Sequence, residues 1–307
     1  MTEITLDQLT ADPHRIHAGL RASAPIVWVE ALGGWVVLAR DLAVEVMRDS
    51  DTFTVDHPGF TTAQVVGPSM LSLDGPEHRR HRDPFVNFFR VASLRRRFAD
   101  FLAATAAERV AAIRPAGSAE LRETLAGPFA VDVVAELLGM IDVDPLELLA
   151  LYRDIVGAVT DLSAGQPMPA SGPAAVAELR AHVASAAGGK GMLAEVAANL
   201  TEDEVVSNAA VMLFGGIETN EGMNAGALWY LLTEQGLMGA VLEDRELLTP
   251  LVEEALRLEP AASRVDRFAT RDVTVEGVQV SRDDLVIVSL AAANRDPAVY
   301  DAPDEFR

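Results

Sequence analysis

The stretch Ala209–Leu232 reads AAVMLFGGIETNEGMNAGALWYLL. It is apolar at both ends, as a core helix is. In its middle Gly215 and Gly216 stand side by side, followed by Glu218 and Thr219. Each glycine costs a helix roughly 1 kcal/mol against alanine, and a buried carboxylate costs more unless it has a partner. A helix carrying both at one point is expected to make room for something lying against it. Two missing side chains let a flat object reach the backbone, and a local loss of helical pairing would seat a water or small ligand. The plainer reading is a Gly-kinked core helix with a half-exposed Glu, and this stretch alone does not separate the two. Upstream, Thr201 with Glu204 three residues on spells a capping box that starts the helix.

Composition narrows the class. The chain has 307 residues, half of them apolar, with a formal net charge of -21. Richness in Ala, Leu and Val predicts a mostly helical protein. The acidic balance argues against a general binder of nucleic acid or anionic membrane. With no cysteine, disulfides, thiolate nucleophiles and thiolate metal ligands are excluded from these residues. The N-terminal MTEITLDQLTADPHR lacks the basic and apolar regions of a signal peptide. No apolar run reaches the roughly 20 residues that span a bilayer. A soluble, cytoplasmic protein is the expectation.

Outward from the central stretch, residues 5–22 read as one short helix. Pro25–Ala39 alternates around Gly33-Gly34, a hairpin signal. Asp41 is placed to cap the next helix, and residues 51–70 read as loop. Helices are expected from Pro76 to about Phe89, from Ser93 to Ile113, over LRETLAGPFAVDVVAELLGM, from Pro145 to Leu162 and from Ala174 to Ala187. The segment Ala164–Pro173 reads as loop. Leu247–Leu258 is a further helix stopped by Pro260. Residues 264–290 then alternate as short strands, and AAANRDPAVYDAPDEFR closes as loop. No internal repeat or convincing linker is visible, so residues 1–307 are expected to form a single domain.

Four short constellations carry chemistry. In LDGPEHRRHRDPF, His78 and Arg82 lie four apart and share a helix face. Such a pair can grip a carboxylate through charge-assisted hydrogen bonds, although a solvated basic face is the commoner meaning of such a run. Glu254 and Arg257 can pair three apart within LVEEALRLEP. Arg267 sits at a strand start in RFATRDVTV, and AAANRDP follows. His78 and His81, three apart beside arginines, do not read as a metal site. No GxGxxG, P-loop or GxSxG motif occurs.

Taken in order, these segments resemble a cytochrome P450 of the bacterial soluble type. LDGPEHxxxR resembles that family's C helix, LFGGIETN its I helix, EALR its ExxR motif, and RFATRDV with AAANRDPxxYxxPDxF the strand and loop leading toward the haem-binding segment. The resemblance runs from the hairpin near Trp28 to Arg307. It implies a mainly α fold with small β-sheets (α+β), and haem as cofactor. His78 and Arg82 would hold one haem propionate and Arg267 the other. Gly215 and Gly216 would let the helix pass flat over the porphyrin. Glu218 and Thr219 would be the acid–alcohol pair that steers protons, and Glu254 with Arg257 the structural core pair. The family ligates its iron through a cysteine thiolate, and no cysteine occurs here. The implied reading is a fragment of a haem-thiolate monooxygenase, truncated before its ligand loop and following helix and inactive as it stands. The arginine that usually completes the ExxR triad would be absent unless Arg307 substitutes. The intact enzyme would insert one oxygen atom of O2 into a small lipophilic molecule. It would take electrons from a ferredoxin-type partner, steered by Arg79, Arg80, Arg90 and Arg95 to Arg97. A second reading is a haem-free helper of the same fold that stabilises a partner enzyme such as a glycosyltransferase. The missing cysteine fits that reading; His78, Arg82, Arg267 and Thr219 do not.

Overall fold

The computed structural model describes residues 4–307. Helix dominates, with two small sheets, in agreement with the mainly α expectation. The chain divides into two compact units, residues 58–225 and residues 1–57 with 226–307.

The 58–225 unit is helical. Its core gathers Val134 and Leu138 of the Gly127–Leu138 helix, Leu148, Leu151 and Ile155 of Pro145–Ser163, Leu179 and Val183 of Ser171–Ala187, and Val206, Ala210 and Leu213 of the Glu202–Thr233 helix. These positions recur at three- and four-residue intervals, which puts them on one stripe of each helix. Thr201 forms the predicted capping box: its backbone N–H donates to Glu204 Oε2 at 2.9 Å, and Glu204 N–H returns to Thr201 Oγ1 at 3.4 Å. Gly172 marks a close crossing, since a Cβ there would lie 2.6 Å from the Ala158 methyl.

The other unit holds a five-stranded sheet in the order β1-β2-β7-β4-β3. The strands are β1 (Ile26–Val29), β2 (Gly34–Val37), β3 (Phe53–Thr54), β4 (Arg264–Ala269) and β7 (Leu285–Ser289), while β5 (Val273–Val275) and β6 (Val278–Val280) form a separate hairpin. The predicted hairpin is β1–β2, with Trp28 opposite Trp35. Gly33 turns it in the left-handed region at φ 60°, where a Cβ is unfavourable. β2 then pairs in parallel with β7, some 250 residues later in the sequence. That long-range pairing has no local signal in the chain.

Several boundaries differ from expectation. The 5–22 helix is two, Leu6–Ala11 and Pro13–Arg21, because Pro13 cannot continue the first and Asp12 caps the second. Asp41 does not cap: the helix begins at Arg40 after Ala39, and Asp41 lies in its first turn. The 51–70 loop contains β3 and a Thr61–Val66 helix. The helix expected from Ala174 starts at Ser171, and Met192–Val196, Leu237–Glu243 and Leu290–Ala293 add short helices. A π-helical turn at Arg122–Ala126 leads into Gly127–Leu138. Among the described residues, no helix is long and apolar enough to cross a membrane.

Candidate active site

The Glu202–Thr233 helix runs unbroken through Gly215-Gly216, so the expected local loss of helical pairing is not present. Both glycine carbonyls instead gain an extra donor. Thr219 Oγ1 donates to Gly215 O, and Asn220 Nδ2 donates to Gly216 O at 2.6 Å. Such bonds to the carbonyl one turn earlier are the usual outlet for short polar side chains in mid-helix.

The two glycines have different surroundings. A Cβ on Gly216 would sit 2.6 Å from Val134 Cγ2, so its missing side chain accommodates the Gly127–Leu138 helix. Gly215 is exposed, and a Cβ there would meet nothing within 4 Å. The same openness holds at Gly222. Seven residues of helix rise roughly 10 Å, so Gly215, Thr219 and Gly222 line a bare strip of about that length. Only Gly215 of the adjacent pair can serve a flat ligand; Gly216 is committed to helix packing.

Glu218 is exposed, and its Oε2 accepts the Tyr152 hydroxyl at 2.9 Å. Burial and then the bond to Glu218 hold the Tyr152 hydroxyl above the usual phenol range, so it acts as a donor. One turn on, Glu221 Oε1 accepts Arg122 Nε at 2.6 Å. Tyr152 and Arg122 carry no spacing signal in the sequence, and tertiary packing alone brings them to the acidic side of the helix.

His78 and Arg82 both lie on the Gly75–Val86 helix, His78 half-buried and Arg82 exposed. His78 Nδ1 is 3.1 Å from Leu73 O. A carbonyl only accepts, so Nδ1 carries hydrogen and Nε2 is left for a ligand. Donation from Nε2 to a carboxylate then requires the imidazolium form. Arg82 forms no ion pair among the described residues.

The neighbouring His81 is buried in a network the sequence did not announce. Its Nδ1 accepts from Asn208 Nδ2 at 3.0 Å, while Asn208 also donates to Glu204 O and accepts from Met70 N–H. His81 Nε2 lies 3.1 Å from Arg80 Nη2 and 3.4 Å from Glu204 Oε1. Arg80 closes the network with bonds to Glu204 at 2.6 and 3.1 Å. Arg80, and next the Thr201 backbone N–H, hold the Glu204 carboxyl at about 2. Arg80 is thus neutralised locally, as is Arg97 through Glu195 at 3.1 Å. The basic group expected for a redox partner reduces to Arg79, Arg90, Arg95 and Arg96, all exposed.

In the other unit, Glu254 and Arg257 form a bidentate pair with both bonds at 2.7 Å. Arg257 also donates to the carbonyls of Asn294, Pro303 and Glu305 at 3.0, 2.7 and 2.9 Å. Arg307 reaches Glu254 only through its backbone N–H, at 3.0 Å, while its guanidinium turns to Glu305. Its side chain therefore does not complete a triad. Arg267 lies on β4 with Nη1 donating to Asp266 O at 2.8 Å.

The cytochrome P450 family model matches residues 190–307. The cytochrome P450 monooxygenase PikC of Streptomyces venezuelae is 31% identical, over 96% of this chain and 74% of that protein. Erythromycin C-12 hydroxylase of Saccharopolyspora erythraea is 29% identical, over 91% of this chain and 73% of its own. The crystal structure of CalO2 superposes with a TM-score of 0.86 at 29% identity, covering 97% of this chain and 79% of that one. The chain belongs to the cytochrome P450 family. It is an enzyme family of haem monooxygenases, whose members use redox partners and lipophilic substrates.

Proposed function

We propose that Glu218 and Thr219 are the proton-handling residues of a haem-thiolate monooxygenase acting on a small lipophilic molecule in the cytoplasm. The observation that carries this reading is the open strip at Gly215, Thr219 and Gly222, where an added Cβ at either glycine would meet nothing. A planar cofactor needs such a surface, and the strip fits one. No cysteine occurs among the 307 residues, so none of them would supply the thiolate.

Haem, when bound, supplies the activation of O2. The protein's share is orientation and proton supply. Thr219 Oγ1 gives its hydrogen to Gly215 O, which leaves its lone pairs free to accept a hydrogen bond from water. Glu218 is exposed and tethered by Tyr152, so it can exchange protons with solvent while its position is held. Arg82 and His78, on one helix, would grip a haem propionate. Glu254 and Arg257 would keep the 294–305 segment in place. Arg79, Arg90, Arg95 and Arg96 would steer an acidic ferredoxin-type partner.

Haem titration followed by Soret absorption tests the reading. Uptake should weaken in Arg82→Ala and in Gly215→Val, whose side chain would fill the strip. In protein that also carries the thiolate-bearing segment, the reduced carbon monoxide complex should show a thiolate-type band. Folded protein that takes up no haem would favour the helper reading instead.

A further inference from the structure

We propose that Glu147, Glu178 and His182 form a binding site for a late first-row divalent metal ion, with zinc as the reference ligand. The site lies in the helical unit, on the Pro145–Ser163 and Ser171–Ala187 pair. It is independent of the haem reading.

Glu178 and His182 are four residues apart on one helix, so their side chains stand one above the other on the same face. Glu147 reaches them from the first turn of the neighbouring helix. His182 Nε2 lies 3.0 Å from Glu147 Oε1. One ligand atom from each of the three residues falls within 4.8 Å of the other two. Zinc holds imidazole nitrogen and carboxylate oxygen at about 2.0–2.2 Å, which sets neighbouring ligands roughly 3–3.5 Å apart in a tetrahedron. Both glutamates are exposed and His182 is half-buried. Closing from the observed spread would draw on rotation of the two exposed glutamate side chains.

The charge balance points the same way. Among the described residues, no Lys or Arg pairs with Glu147 or Glu178. Arg180, on the same helix as Glu178, is taken by Glu202 and Asp203 at 3.2 and 2.7 Å. Two carboxylates and one imidazole thus lie within 4.8 Å of one another, and a dication would neutralise both carboxylates. One nitrogen and two oxygen donors favour zinc, nickel, cobalt or copper over magnesium and calcium, which prefer all-oxygen shells. Three protein ligands leave at least one position to water.

The site would act as a cross-link. Gly172 and Ala158 already bring the two helices together near their connecting segment. Glu147, near the start of the first helix, and His182, near the end of the second, would fasten the opposite end. Metal binding would thus slow opening of this helix pair.

The test is isothermal titration of the chelator-stripped full chain with zinc, with cobalt absorption reporting coordination. The proposal expects one saturable zinc site, visible cobalt bands and increased amide protection at both ends that meet. His182→Ala and Glu178→Gln should each weaken zinc by at least the roughly 10–100-fold that loss of an outer-shell partner alone costs. Circular dichroism verifies folding, and the isosteric Glu147→Gln gives a third, milder variant. Zinc affinity unchanged in all three variants would overturn the proposal. So would magnesium binding as tightly as zinc, which would mark an acidic surface holding any dication.

Discussion

Replacing the adjacent glycines one at a time should give opposite effects on stability. Alanine gains roughly 1 kcal/mol over glycine in a helix interior. At Gly215 the new methyl would meet nothing within 4 Å, so Gly215→Ala should stabilise by up to that amount. At Gly216 the methyl would lie 2.6 Å from Val134 Cγ2, about 1 Å inside the optimal carbon–carbon separation. Val134 is 1% exposed and has nowhere to retreat. Overpacking of this kind costs about 1–3 kcal/mol, which exceeds or cancels the helical gain. The two variants should therefore differ by about 1–3 kcal/mol. Equilibrium urea unfolding followed by helix ellipticity would measure it. A cycle with Val134→Ala adds a sharper condition. That change alone should destabilise by removing buried methyls, but Gly216→Ala should cost nothing in its background. The coupling should reach about 1 kcal/mol or more, above the roughly 0.5 kcal/mol error of additivity. If Gly216→Ala stabilised as Gly215→Ala does, or if Val134→Ala failed to relieve it, the assignment of Gly216 to helix packing would be wrong.

Acid should weaken the helical unit through Glu204. Its folded pKa of about 2 lies below the 4.5 of an ordinary glutamate, so this contribution is complete above pH 4.5 and fades as pH falls toward 2. Arg80→Ala should flatten that part of a pH–stability curve. His17 should act at milder pH. Burial, helped by His14 and Arg21, lowers it from 6.5 to about 4, so its contribution is complete above pH 6.5 and disappears as pH falls toward 4. His17→Phe should remove that dependence, as melting temperature against pH would show. Arg257→Lys should destabilise nearly as much as Arg257→Ala, since one ammonium cannot replace the bidentate fork, and thermal unfolding compares the two. In enzyme carrying its thiolate ligand, Thr219→Ala should divert reducing equivalents to peroxide, and product formed per NAD(P)H consumed reads that loss.

What the sequence made legible was local. The capping box at Thr201, the β1–β2 hairpin and the ExxR pair follow from spacings of a few residues. The bidentate Glu254–Arg257 geometry needs nothing beyond one helical turn. What escaped depended on distant partners. Val134 lies some eighty residues before Gly216, so the sequence could not show that one glycine of the pair serves a neighbouring helix. Tyr152 on Glu218 and Asn208 on His81 arise the same way. The basic run around Arg79–Arg97 looked uniform in sequence, because Glu204 and Glu195, which neutralise two of its members, come a hundred residues later. Asp41 failed as a cap for a smaller reason: the helix began one residue before it.

The Arg257 guanidinium has five N–H donors, and all five are engaged, two by Glu254 and three by the carbonyl oxygens of Asn294, Pro303 and Glu305. Carbonyls are common to every residue type, so this grip is blind to the identity of the side chains it fastens. Evolution is accordingly free to rewrite exposed residues such as Pro297, Ala298 and Val299 without loosening the segment. The arginine itself has no such freedom, because no other side chain offers five donors in one plane.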